Sequence, residues 1–244
     1  MSLEAGPESP GRLKIQGSIQ VAGIADEREA RLLIECGVDF LGFPVNVPVH
    51  REDVTGKEVA KIIASIGLPE CVVLITYLDR SGDISALCHR TGGRIVQLHG
   101  DIEKRELARL KAAHPELRII KSVIIGEPDR PDPSAEVAAL SGYVDAFITD
   151  TFDASTGARG ATGKTHDWRT SRAVVESSPH PVILAGGLTP DNVRRAICRV
   201  RPSGVDVHTG VENAAGRKDP DLVRAFVSEA RGAFAENVSH GPTG

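Results

Sequence analysis

The chain alternates short apolar runs with stretches in which apolar residues recur every three or four positions. The apolar runs are SIQVAGI at Ser18–Ile24, VDFLGFPV at Val38–Val45, CVVLITYL at Cys71–Leu78 and RIVQLHG at Arg94–Gly100. LRIIKSVII at Leu117–Ile125, VDAFITDT at Val144–Thr151, PVILAGGL at Pro181–Leu188 and GVDVHTGVE at Gly204–Glu212 continue the series. Each reads as a strand. Between them the spacing predicts helices over Glu27–Cys36, capped by Asp26 and closed by Gly37, over Lys57–Ile66, and over Ser81–Arg90. Further helices are expected from a cap at Asp101 to Ala113, over Ser134–Ser141, Trp168–Glu176 and Asp219–Phe234, and over Pro190–Val200 with Pro190 at the first helical position. CVVLITYL is apolar nearly throughout, so its strand must be covered on both faces, as in a parallel sheet. Roughly eight strand-then-helix units in about 220 residues have the size and rhythm of a single-domain α/β protein, a (β/α)8 TIM barrel. A doubly wound open sheet fits less well, because it favours GxGxxG after the first strand and only Gly23 stands there. The barrel is expected over residues 18–236, after a disordered leader, 1–17, and before a loose tail, 237–244.

Composition adds three constraints. Aromatic residues are only 4% of the chain against 41% hydrophobic, so the core must be aliphatic. A net charge of −4 gives no electrostatic case for nucleic acid. A small anionic ligand must then be held by local cations or backbone N–H groups. The four cysteines, Cys36, Cys71, Cys88 and Cys198, form no CxxC pair, so neither a metal site nor a disulfide framework is expected, and buried thiols in a reducing cytoplasm are. No run is long and apolar enough to span a membrane.

In a barrel of this kind the site lies at the C-terminal ends of the strands. Titratable and polar residues gather there: Arg51 after the second strand, Gln97 and His99 at the fourth, Lys121 in the fifth, Asp150 at the sixth, Asp206 and His208 in the eighth. Asp150 ends an apolar run and precedes a long loop, Phe152–His166, rich in Gly, Thr and Ala. That places it as a candidate general acid or base. Gly186-Gly187 after the seventh strand and Thr209-Gly210 after the eighth form a candidate phosphate site, since glycine exposes backbone N–H groups and barrels often hold phosphate between these two loops. GATGK at Gly160–Lys164 lacks Walker spacing and is not read as a nucleotide loop, although Lys164 could close over a substrate. Trp168 is expected to pack under the sixth loop, and Arg217 and Lys218 to stay solvated.

QLHG, GATGKTHDW, LAGGLTPDNV and VDVHTGVE, in this order and spacing, resemble the phosphoribosylanthranilate isomerase family of tryptophan biosynthesis, over about Ile19 to Phe234. The resemblance implies an Amadori rearrangement without a cofactor. An acid protonates the furanose ring oxygen, the ring opens to a Schiff base, and a base takes the C2 proton to give an enolamine that becomes the ketose. It implies Asp150 as the acid, Arg51 and His99 as contacts on the anthranilate side, Asp206 near the substrate, and the two glycine loops on the phosphate. The family's base is a cysteine in K-I-C-G near the end of strand one. This chain has no cysteine there, whether Lys14–Gly17 or, as the spacing prefers, Gln20–Gly23 is the matching segment. His50, Asp26, Asp206 or a water are candidate substitutes, His50 because it adjoins Arg51, with Asp26 read first as a helix cap. In strand eight, His208 and Thr209 replace two serines. The expected partner is a small phosphosugar, and the chain is expected as a monomer or homodimer. A related phosphosugar enzyme and a non-catalytic phosphosugar-binding paralogue are the alternatives.

Overall fold

The computed structural model describes residues 13–45, 47, 54–128, 130, 132–153, 158–159 and 167–239. Strands Ser18–Ala22 (β1), Phe40–Pro44 (β2), Val72–Thr76 (β3), Ile95–Leu98 (β4), Arg118–Ile125 (β5), Ala146–Asp153 (β6), Val182–Leu184 (β7) and Gly204–Val207 (β8) pair in parallel with their sequence neighbours. β8 also pairs in parallel with β1, so the sheet closes into a barrel. Helices Glu27–Glu35 (α1), Gly56–Ile66 (α2), Ser81–Thr91 (α3), Lys104–Ala113 (α4), Pro133–Leu140 (α5), Trp168–Ser177 (α6), Val193–Val200 (α7) and Pro220–Ser239 (α8) follow the strands in turn. This is the (β/α)8 barrel that the alternation predicts.

The period of two along each strand sorts the core into two bodies. Ile19, Val21, Leu41, Phe43, Leu74, Val96, Val123, Phe147 and Val205 face outward into a large cluster shared with the helices. Phe40, Val73, Ile75, Ile95, Ile120, Ala146, Ile148 and Ile183 face inward into a second, smaller one. Ile15 joins that inner cluster and is 1% exposed, so the barrel packs residues ahead of the expected boundary at 18, while α8 extends to Ser239 beyond 236. Residues 1–12 and 240–244 lie outside the described residues.

Several elements differ from the sequence reading for identifiable reasons. α4 begins at Lys104 behind Glu103, and Asp101 instead accepts a hydrogen bond from Arg130 at 2.7 Å. α7 begins at Val193 rather than Pro190. The Asn192 side chain accepts from Thr189 N and donates to Gly187 O, both at 2.9 Å, and so holds residues 189–192 as a turn. β6 runs on to Asp153, and Ala158–Arg159 folds back antiparallel on it where only a loop was expected. Of the four cysteines only Cys88 is buried, Cys198 is exposed, and all are free thiols. Among the described residues no helix is long and apolar enough to cross a membrane.

Candidate active site

The parity of β6 that turns Ala146 and Ile148 into the barrel also turns Asp150 inward, at the strand's C-terminal end. Asp150 is 7% exposed, and its Oδ1 accepts a hydrogen bond from Thr151 N at 2.7 Å. The same alternation on β4 brings Gln97 and then His99 inward. His99 Nε2 stands 3.8 Å from Asp150 Oδ2, its Nδ1 lies 2.9 Å from Ser122 Oγ, and its ring packs 5.1 Å from that of Tyr77. Residues from β4, β5 and β6 therefore form one wall of the mouth, with a carboxyl aimed into it.

Beneath this wall Asp206 projects from β8. Burial, and then the charge of Asp150, push its carboxyl up to about 7, against a hydrogen bond from Gln20 and the attraction of Lys218. Asp206 Oδ1 and Gln20 Oε1 are buried acceptors without a hydrogen-bond partner, while Gln20 Nε2 donates to Gln97 Oε1 at 2.9 Å. A proton held on Asp206 relieves its repulsion with Asp150.

The two glycine loops meet. Gly186 and Gly187 have φ of 99° and 61°, in the left-handed region where a β-carbon is strained. A β-carbon on Gly210 would fall 1.9 Å from Leu188 O, so the loop after β8 lies directly against the loop after β7. Thr209–Val211 forms a single 3-10 turn there.

The sequence model of the family described as N-(5'phosphoribosyl)anthranilate (PRA) isomerase matches residues 19–229. The chain belongs to this family. N-(5'-phosphoribosyl)anthranilate isomerase 2 of Methanosarcina mazei is 38% identical over 218 residues, which is 88% of this chain and 95% of that protein. The isomerase of Haloferax volcanii is 38% identical over 216 residues, covering 88% and 93% of the two chains. A solved phosphoribosyl anthranilate isomerase from Thermococcus kodakaraensis superposes with a TM-score of 0.72 at 29% identity, over 88% of this chain and 98% of that one.

Of the residues singled out in this isomerase-family chain, Asp150, His99 and Asp206 converge in the barrel mouth, and the loops of Gly186, Gly187, Thr209 and Gly210 adjoin. His50, Arg51 and Lys164 lie outside the described residues. β1 ends in inward-facing Ala22, whereas Gln16 sits in the turn before it, so Gln20–Gly23 is the segment at the mouth. Asp26 caps α1, accepting from Glu29 N at 2.9 Å, and pairs with Arg217 at 2.6 Å.

Trp168 has the Arg195 guanidinium of α7 5.5 Å from its ring, and most of the sixth loop lies outside the described residues. Two expectations are corrected. Lys121 faces outward, 4.0 Å from Glu136 of α5, because it shares the parity of Ile119 and Val123. Lys218 is not solvated. Its side chain is fully buried and its Nζ donates to Glu212 Oε1 at 2.6 Å and to His208 O at 3.1 Å. Sequence reading also passed over Gln20, Ser122 and Glu212 as site residues. The first two were within reach of the alternation along their strands. Glu212 was not, since the strand read as far as Glu212 ends at Val207 and a 3-10 turn follows it.

Proposed function

We propose that the protein isomerises N-(5'-phosphoribosyl)anthranilate to 1-(o-carboxyphenylamino)-1-deoxyribulose 5-phosphate by an Amadori rearrangement. The observation that carries this reading is Asp150, inward at the end of β6 beside His99, in a chain of this family. Asp150 gives a proton to the furanose ring oxygen, the C1–O bond breaks, and the nitrogen lone pair forms the Schiff base. The nearby Asp206 carboxyl, held up to about 7, keeps a proton in the pair near neutral pH. The loops at Gly186-Gly187 and Thr209-Gly210 take the phosphate through backbone N–H groups. The family resemblance assigns His99 and Arg51 to the anthranilate side. The reading places the protein in the cytosol as a monomer or homodimer, and a relative from Thermotoga maritima is described as dimeric.

The test is the decay of substrate fluorescence, with substrate made in situ. The parent protein is expected to accelerate the decay, and Asp150→Asn to lower kcat by about 10²–10⁴-fold, the usual contribution of a well-placed acid. A parent protein no faster than buffer would sink the reading.

A further inference from the structure

Ring opening is half of the isomerisation. A base must also remove the C2 proton, and Ala22 at the end of β1 and its neighbour Gly42 on β2 offer none. Resting on the isomerase reading above, we propose that His208 is that base, held in place by Glu212 and Lys218.

The placement comes from Gly23. A β-carbon there would lie 1.9 Å from His208 Nε2 and 2.5 Å from its Cδ2, so the imidazole reaches from β8 over the end of β1, onto the backbone directly after Ala22. Gly23 has φ of 75°, which only glycine adopts readily, and its missing side chain is the space the ring fills. In the closed ring of strands β1 lies opposite β5. The acid wall of His99 and Asp150 straddles β5, so His208 stands across the mouth from the acid. The His208 side chain is 27% exposed where Asp150 and His99 are nearly closed off, so a bound sugar can reach it.

The surroundings fit a base. His208 Nε2 is 3.4 Å from Glu212 Oε1. Buried Lys218 donates both to that carboxylate oxygen and to the backbone oxygen of His208, which fixes the carboxylate relative to the ring. A carboxylate beside the ring makes the imidazole more basic and stabilises the imidazolium that forms. The protons then balance. The imidazole takes the C2 proton as the C–H pair forms C1=C2 and the iminium pair returns to nitrogen. The imidazolium next delivers that proton to C1, while the C2 hydroxyl proton passes to the Asp150 carboxylate and the C2 ketone forms. Both groups end as they began.

The experiment compares the parent with His208→Asn, His208→Gly and His50→Asn in kcat, in KM, and in binding of reduced 1-(o-carboxyphenylamino)-1-deoxyribulose 5-phosphate. Turnover is measured with and without added imidazole. His208→Asn is expected to lower kcat about 10²–10⁴-fold while binding of the reduced product stays within about threefold. Imidazole is expected to restore part of the rate to His208→Gly. A parent-like kcat in His208→Asn overturns the proposal. So does a loss matched by equally weakened binding of the reduced product, and so does a loss that falls on His50→Asn instead. A parent protein without turnover overturns the isomerase reading itself, a distinct result.

Discussion

Asp206 is buried within the field of Asp150, and its carboxyl rises from 3.8 to about 7. For an acid with a raised native value, the folded chain binds more protons than the unfolded one between those limits. Stability therefore falls as pH rises from about 4 to about 7, and the penalty is complete above that. Asp206→Asn removes it. The variant's gain in unfolding free energy over the parent is expected to be larger at pH 8 than at pH 4, by up to about 4 kcal/mol for a shift of three units. Denaturant titrations at the two pH values check this, and an equal gain at both would mean that the carboxyl is not strained. Asp150 and His99 were legible in the sequence because each polar residue closes an apolar run at a strand's C-terminal end. Gln20 and Ser122 lie inside their runs rather than at the ends, so only the alternation along the strand, and no terminal position, marks them as inward-facing. Lys218 was misread because composition around GRKDP suggests solvent. Its burial depends on Glu29 and Glu212, distant in sequence or past the last strand, closing around it.

At the scale of elements, the phosphate proposal depends on two loops keeping contact. Gly210 gives way to the Leu188 carbonyl, and a methyl group at that position would strike backbone rather than a movable side chain. Gly210→Ala must therefore push the loops after β7 and β8 apart. Hydrogen bonds to a charged group contribute about 1.5–3 kcal/mol each, so losing one of them raises KM by about 10–100-fold, with a smaller change in kcat. Competition by inorganic phosphate should weaken in parallel. Steady-state kinetics with phosphate as inhibitor would show this, and an unchanged KM would place the phosphate elsewhere. The glycines marked these loops in the sequence. The start of α7 was not legible, because Pro190 suits a first helical turn and nothing local reveals that Asn192 spends its side chain on Gly187 and Thr189. Helix ends set by side chains reaching other loops are decided by tertiary contact.

The whole barrel was readable because its signal is repeated. Eight apolar runs alternate with eight helical patterns, and an error at one boundary leaves the rhythm intact. How the ring is locked where the first and last strands meet was not readable. There, Lys218 N donates to Glu29 Oε1 of α1 at 2.8 Å, and its fully buried Nζ pairs with Glu212 at 2.6 Å, next to the β8–β1 seam. Burial pulls the ammonium's pKa down, and Glu212 opposes that pull most. Removing one member of such a pair leaves an uncompensated charge and typically costs 3–5 kcal/mol. Lys218→Met is therefore expected to lower Tm by about 6–20 °C in a chain of this size. Adding Glu212→Gln removes the stranded carboxylate, so the double variant is expected to melt above Lys218→Met. Thermal unfolding followed by circular dichroism measures both. If the double variant melts no higher than the single one, the lysine stabilises the seam by packing its aliphatic stem rather than by its charge.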